Sequence, residues 1–224
     1  MTAEILLNGE TLTPDISGAL FWPARQTLIV ADLHFEKGSR FASKGHLLPP
    51  YDTRATLTAL EQAIRQYKPV RIVSLGDSID DMKANDRIAE DDVERIRILT
   101  SQQDWVWVAG NHDPAPPDLW GGETVDELTD GPFVFRHQAV SGKAPGELSG
   151  HFHPKASISA RGRRLSARCF IEDGKRMILP SFGAYTGGLD VFDPAIAGYF
   201  SKQARVWLLG RDRVHCFAKT TLQR

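Results

Sequence analysis

Three short apolar segments, at residues 27–31, 71–75 and 105–109, constrain the fold more than any other feature of the chain. Each is rich in large apolar residues and is bounded by turn-forming residues, as expected of strands that are covered on both faces. Between them, residues 51–66 and 86–99 carry apolar side chains at helical spacing. This alternation predicts parallel strands joined by crossover helices, and therefore an α/β fold.

The chain changes character after Asn111, where helical periodicity gives way to short strand-like segments separated by glycine and polar turns. Residues 156–160 and 165–171 flank Arg161-Gly162-Arg163-Arg164, a pattern that predicts a β-hairpin. Further strands are predicted from residue 133 onward, at residues 177–179, 205–209 and 213–217. Because no repeat or linker is visible in the sequence, we predict a single domain, residues 1–224, built of two sheets.

Composition excludes several classes of protein. With 224 residues and a formal net charge of −1, the chain can bury a substantial core and is not coated with basic groups. A local basic patch would still be enough to bind nucleic acid. The two cysteines, Cys169 and Cys216, are too few for a disulfide scaffold and are expected to be reduced. No signal peptide or membrane span is visible, so we expect a soluble, cytoplasmic protein with no membrane partner.

Four polar motifs each follow an apolar strand-like run, so their side chains are expected at the carboxyl ends of strands. They are Asp32-Leu33-His34, Gly76-Asp77-Ser78-Ile79-Asp80, Gly110-Asn111-His112-Asp113 and Gly150-His151-Phe152-His153. In open α/β sheets, that edge is where ligands bind. Taken singly, each motif is most often a surface turn, a helix cap or a strand edge. Four of them at successive strand ends predict a site for two metal ions.

The residue types in these motifs fit divalent metals. Asp32 and His34 are one residue apart and can point to the same side, and His151 and His153 repeat that spacing. Asp77 offers two carboxylate oxygens that could bridge two ions. Asn111 offers a neutral carbonyl oxygen, and His137 follows another apolar run. This mixture of oxygen and imidazole ligands suits Mn, Fe or Zn, and the absence of thiolate argues against a structural zinc site.

The motifs resemble, in order, the signature of the calcineurin-type metallophosphoesterases: DxH, GDxxD, GNH[DE], a separate His and GHxH. The resemblance implies a four-layer αββα sandwich of two mixed β-sheets flanked by helices. It also implies two metal ions, with manganese expected and iron or zinc as alternatives. The implied ligands of one ion are Asp32, His34, Asp77 and His153. Those of the other are Asp77, Asn111, His137 and His151.

A narrower resemblance involves residues 48–54, His153-Pro154 followed by Arg161-Gly162, and residues 180–188. These segments are similar to the small bacterial metallophosphoesterases known as ligase-associated DNA damage response endonucleases. That family is named for its association with a DNA ligase, a helicase and an exonuclease in repair. The resemblance therefore implies DNA as the substrate and those three enzymes as partners.

Two residues beside the ligands are candidates for catalysis. His112 follows Asn111 but is not needed as a ligand, so we predict that it protonates the leaving group or stabilises charge in the transition state. Asp113 would orient its ring, although a helix cap near Pro114 is a competing role for this carboxylate. Asp80 is predicted to orient a metal ligand rather than to bind metal itself.

Basic residues just beyond His153 could contact a nucleic-acid backbone, although for any single arginine a solvated turn is the better interpretation. They are Arg161, Arg163, Arg164 and Arg168, and the patch could be extended by Lys37, Arg40 and Lys44. Tyr185, in a glycine-rich loop, could stack on a base or simply pack within the loop.

These residues predict a Mn-dependent phosphodiesterase that cuts DNA, single-stranded or locally opened, as an endonuclease in repair. A phosphatase or pyrophosphatase acting on a small nucleotide or sugar phosphate is the first alternative, because the same metal site serves those reactions. A non-catalytic scaffold of the same fold is the second alternative. It predicts missing ligands, and none is missing here.

Overall fold

The computed structural model describes residues 3–43, 45, 49, 51–111, 120–160 and 162–222. Within these residues the chain forms two mixed β-sheets. The strands of the first sheet lie side by side in chain order: β1 (Ile5–Leu7), β2 (Glu10–Pro14), β3 (Leu20–Trp22), β4 (Thr27–Val30), β5 (Arg71–Leu75), β6 (Asp104–Val108) and β7 (Glu123–Val125). Strands β1 to β4 pair antiparallel, whereas β4 to β7 pair parallel.

The second sheet contains the remaining described strands: β8 (Leu128–Asp130), β9 (Phe133–Phe135), β10 (Glu147–Ser149), β11 (Lys155–Ala160), β12 (Arg163–Glu172), β13 (Met177–Ile178), β14 (Arg205–Leu209) and β15 (Val214–Ala218). Its order is β15-β14-β12-β13-β10-β9-β8, and β11 pairs with β12 outside this path. Strands β9, β10 and β13 are parallel neighbours, so the carboxyl ends of β9 and β10 lie at the same edge.

The described helices are α1 (Lys37–Ser43), α2 (Asp52–Tyr67), α3 (Glu90–Gln102) and α4 (Pro194–Ala197), with short 3-10 turns at Pro23–Arg25, Ala84–Asp86 and Lys219–Thr221. Helix α3 has three acidic residues in its first turn, where they stabilise the positive end of the helix dipole. Among the described helices, none is both long and apolar enough to cross a membrane.

The core is divided into three layers of apolar contacts. One cluster lies between the two sheets and includes Ile29, Val73 and Phe170. A second cluster packs α2 and α3 against the outer face of the first sheet. The third covers the outer face of the second sheet with α4, β11 and irregular chain. The arrangement is the predicted four-layer αββα sandwich, with a fourth layer that is only partly helical.

Most sequence-based elements are confirmed with small shifts of their ends. The predicted strands at residues 27–31, 71–75 and 105–109 are β4, β5 and β6, and the helices predicted at residues 51–66 and 86–99 are α2 and α3. Both cysteines are free, as expected. The predicted hairpin forms, but its turn is shorter than the sequence indicated. Ala160 pairs directly with Arg163, so Arg163 and Arg164 belong to β12 rather than to the turn.

Candidate metal centre

The predicted ligands all lie just beyond the carboxyl ends of strands. In the first sheet, Asp32 and His34 follow β4, Asp77 follows β5 and Asn111 follows β6. In the second sheet, His137 follows β9, and the His151 motif follows β10. The two sheets meet at this edge, where the Asp32 carboxylate accepts a hydrogen bond of 2.9 Å from the backbone N–H of His151. One polar site is therefore assembled from both sheets.

The first group of ligand atoms comes from Asp32, His34 and His153, which lie within 4.8 Å of one another. His153 Nε2 is 3.4 Å from Asp32 Oδ1 and 3.3 Å from His34 Nε2. Asp32 and His34 are buried, and His153 is partly exposed, so the group opens to solvent on one side. Its members match three of the four ligands that the sequence predicts for one ion.

The second group comes from Asp77, His137 and His151, again within 4.8 Å of one another. His137 Nε2 is 3.0 Å from His151 Nδ1 and 3.5 Å from Asp77 Oδ2. The exposed side-chain amide of Asn111 lies 3.4 Å from His151 Nδ1, within reach of the same site. These are the four residues predicted for the other ion.

Asp77 lies between the two groups, since its Oδ2 is also 3.9 Å from His34 Nε2. Two ligands that each lie 2.0–2.1 Å from one ion are themselves separated by about 3.0–3.4 Å. The imidazole pairs His34–His153 and His137–His151, at 3.3 and 3.0 Å, have that separation. The donor set and its spacing therefore fit two divalent ions, and Asp77 Oδ2 lies within 4 Å of a histidine in each group.

The backbone at these residues is strained. Asp32, His34, Asp77, His151 and His153 all have positive φ, between +45° and +70°. A non-glycine residue in this left-handed region costs on the order of 1–2 kcal/mol, so a cluster of five is unusual. Such strain persists where the surrounding structure holds the chain in place, and it is typical of functional sites.

Two glycines let the chain pass close to the ligands. A Cβ on Gly150 would lie 2.6 Å from Asp32 Oδ2 and 2.8 Å from the Cβ of Ala31. Gly76 has φ of +72°, and a Cβ there would lie 2.5 Å from the His137 Cγ. Any side chain at either position would displace a predicted ligand. These contacts explain why both motifs begin with glycine.

Burial and local charge favour the protonation states that bind metal. Burial lowers the pKa of His34 and of His151, so both rings are held in the neutral form. Burial would raise the pKa of Asp32, but the hydrogen bond to His153 and the nearby imidazoles outweigh it, and the pKa is lowered. Neutral imidazole and ionised carboxylate are the forms that act as ligands.

Asp80 lies beneath the first group, fully buried. Its Oδ1 lies 3.0 Å from His34 Nδ1 and accepts a hydrogen bond from Lys37 Nζ at 3.2 Å. Its Oδ2 accepts one from Arg40 Nη1 at 2.9 Å. The contact at Nδ1 leaves His34 Nε2 on the side of His153, and the orienting role of Asp80 remains a prediction. Lys37 and Arg40, considered above as phosphate contacts, both pair with this carboxylate.

The other predicted residues are either outside the described part of the chain or exposed at its surface. His112, Asp113 and Arg161 lie outside the described residues, as does Lys44. Arg163 and Arg164 are exposed on β12, and Tyr185 is 45% exposed in its loop. Their roles in catalysis or substrate binding therefore remain predictions.

Sequence reasoning missed one contact that holds the backbone of Asp32 in place. The loop at residues 181–188 follows β13, and its Phe182 and Gly183 N–H groups donate to the backbone carbonyls of Ala31 and Asp32 at 2.7 and 3.1 Å. Gly183 lies so close to the Leu33 carbonyl that a Cβ would overlap it. The glycine in Pro180-Ser181-Phe182-Gly183 was the only sequence signal of this close contact, and the residues that it contacts, Asp32 and Leu33, lie far away in the sequence.

Comparison with known proteins agrees with this geometry. The family model described as calcineurin-like phosphoesterase matches residues 26–168. The crystal structure of Pseudomonas putida nuclease MPE is 27% identical, covers 97% of this chain and 100% of that chain, and has a TM-score of 0.74. Yfce, a phosphoesterase from E. coli, is 14% identical over 86% of this chain and 98% of that chain, with a TM-score of 0.43. No match was found among curated protein sequences. This chain belongs to the calcineurin-like phosphoesterase family and is a metal-dependent hydrolase of phosphoesters.

Proposed function

We propose that this protein is a manganese-dependent endonuclease that cuts single-stranded or locally opened DNA. The observation that carries the proposal is the pair of ligand groups joined by Asp77, within a chain that resembles a nuclease over almost its whole length. Oxygen and imidazole ligands without thiolate suit Mn, and Fe or Zn are the alternatives to test.

The chain's own residues would hold the reacting groups in place. Asp32, His34 and His153 would bind one ion, while His137, His151 and Asn111 would bind the other, with Asp77 shared. When bound, the two ions supply an activated water nucleophile and neutralise charge on the phosphoryl oxygens. Asp80 keeps the His34 ring in its binding orientation and tautomer.

His112 is proposed to donate the proton to the leaving alkoxide, with Asp113 favouring its protonated form. The proposal rests on the position of His112 directly after Asn111 in the sequence. A general acid of this kind contributes about 10²–10⁴-fold to the rate. A poor leaving group, such as a deoxyribose alkoxide, needs that proton more than a nitrophenolate does.

The choice of DNA over a small phosphoester rests on two further observations. Where β11 and β12 pair in the hairpin that leads away from His153, the charged residues are all basic: Lys155, Arg163, Arg164 and Arg168. The likeness to the nuclease covers 97% of this chain. Participation in repair beside a DNA ligase, a helicase and an exonuclease in the cytoplasm is part of the same proposal, and co-purification of tagged protein would test it.

The proposal is tested by a nuclease assay on single-stranded, duplex and hairpin DNA with Mn, Fe or Zn added to metal-free protein. We expect Mn-dependent cleavage of the single strand and of the hairpin loop. His112→Ala should reduce DNA cleavage by about 10²-fold or more. His215→Ala, at an exposed position on β15, is the matched control and should leave cleavage unchanged. Activity limited to small phosphomonoesters or diphosphates would instead favour the phosphatase alternative.

A further inference from the structure

Arg168 is a half-buried cation with no acidic partner among the residues that the structure describes. Its hydrogen bonds go to three backbone carbonyls, and no nearby charge affects its pKa, which burial alone lowers. By contrast, Arg176 contacts the Glu147 carboxylate and Arg205 contacts that of Glu172. A desolvated charge without a counter-ion is costly, and an anion beside it would offset that cost.

The guanidinium of Arg168 is held in a fixed orientation. Nη1 donates to the Ser181 and Phe182 carbonyls at 2.6 and 3.3 Å, and Nη2 donates to the Ser17 carbonyl at 3.3 Å. Guanidinium has five N–H donors, so the Nε hydrogen and one Nη2 hydrogen remain available. A planar fork of this kind matches two oxygens of a phosphate, and it is already ordered before a ligand arrives.

Arg168 lines a cavity of about 360 Å³. Its wall includes Arg168, Thr56 and the loop residues Phe182 to Thr186. Tyr185 lies on this wall with 45% of its surface exposed, so its ring is accessible to a flat ligand. Cavities of this size bind small groups that combine a charged part and an apolar part.

The same loop connects the cavity to the first ligand group. Gly183 donates to the Asp32 carbonyl at 3.1 Å, and Gly188 lies against the His153 carbonyl. Lys155, two residues after His153, is the cross-strand partner of Arg168. The wall of the cavity is therefore hydrogen-bonded directly to the backbone of Asp32, a predicted ligand of the first group.

We propose that Arg168 binds a non-scissile phosphate of a single polynucleotide strand, next to the phosphate held at the metal centre, and that Tyr185 stacks on the attached base. This inference rests on the proposed function and specifies its substrate as a strand that spans two sites. Stacking on an aromatic ring requires an unpaired base, so the cavity favours a single strand over a duplex.

The test compares two substrates: a labelled single-stranded DNA oligonucleotide and bis(p-nitrophenyl) phosphate, which is too small to span both sites. Arg168→Met should lower kcat/KM on the oligonucleotide at least tenfold, chiefly through KM, and should reduce the salt dependence of binding by about one charge. The loss of kcat/KM on bis(p-nitrophenyl) phosphate should be at least tenfold smaller than the loss on the oligonucleotide. Arg97→Met, which removes an exposed cation on α3, should leave kcat/KM unchanged on both substrates.

Equal losses on both substrates would overturn the proposal, because a residue that merely holds the loop at residues 181–188 would damage the metal centre itself. Unchanged cleavage of DNA would also overturn it. If Arg168→Met does not fold, Arg168→Lys and Tyr185→Leu test the same cavity with smaller changes, and each should weaken oligonucleotide binding measured in EDTA. That binding measurement does not need turnover, whereas a wild-type protein that hydrolyses neither substrate would refute the proposed function itself.

Discussion

Replacing Gly76 by alanine tests whether a glycine at this position is needed to keep His137 in the second ligand group. A Cβ at this position would overlap His137 Nδ1 and would lie 2.5 Å from Cγ of the same ring. The ring has little room to retreat, because Nδ1 is 3.0 Å from the Leu75 carbonyl and Nε2 is 3.0 Å from His151 Nδ1. The alanine Cβ and the His137 ring in its present position would therefore occupy the same space.

The magnitude follows from two effects. Gly76 has φ of +72°, and alanine in this region costs about 1–2 kcal/mol of folding stability. To bring the 2.5 Å contact with Cγ to an ordinary separation above 3.0 Å, the His137 ring must move by at least about 0.5 Å. Metal–ligand distances tolerate about 0.2 Å. Loss of His137 as a ligand should then lower affinity at the second site at least about 100-fold, or about 2.7 kcal/mol.

The assay is titration of metal-free protein with Mn²⁺ by calorimetry, combined with thermal unfolding in EDTA. Gly142→Ala is the matched control, since Gly142 has φ of +83° and a Cβ there would meet nothing within 4 Å. Both variants should lose similar stability from backbone strain, and Gly76→Ala should also lose one of two binding events. If Gly76→Ala bound two Mn²⁺ ions with the affinities of the wild-type protein, this account of the site would be refuted.

Three further predictions concern the metal centre. Asp80→Asn should weaken metal binding at the first group about 10–100-fold, whereas the neighbouring Asp81→Asn should not, as calorimetry can check. Manganese at 100 times its Kd should raise the free energy of unfolding by about 2.7 kcal/mol per site, and a melting temperature unaffected by EDTA would contradict this. Burial lowers the pKa of His34 and His151, so the unfolded chain takes up protons first below about pH 6.5. Urea unfolding of the metal-free protein should therefore show stability falling from pH 7.5 to pH 5, and a pH-independent midpoint would argue against buried neutral rings.

His151 and His153 follow β10, Glu147-Leu148-Ser149, but the other predicted metal ligands stand out in the sequence because each follows a largely apolar run. Such a run fixes where the strand ends, and the carboxyl ends of parallel strands share one edge. His137 was the hardest case, since its strand β9 is only three residues long. The structure brings its Nε2 to 3.0 Å from His151 Nδ1, a contact that no spacing rule supplies.

Other parts of the fold left too weak a signal. Strands β1 and β3 have three residues each, so their alternation of buried and exposed side chains covers less than two periods. The sequence predicts too long a hairpin turn because Arg163 and Arg164 interrupt the apolar pattern, whereas Gly162, with φ of +73°, allows a tighter connection. Strained φ values at Asp32 and His34 also leave no trace in the sequence, because they result from contacts made on folding.

Asp32 shows why a list of ligands is an incomplete description of this centre. Its backbone N–H donates to the Gly76 carbonyl at 3.3 Å, its carbonyl accepts from Gly183, and its carboxylate accepts from the His151 N–H at 2.9 Å. One residue thus connects β4, the turn after β5, the loop at residues 181–188 and the second sheet. Metal binding and the packing of the two sheets share this side chain, so its loss should destabilise the metal-free protein as well as abolish binding at the first group. The sequence motif predicts the first of these roles, and only the folded structure reveals the second.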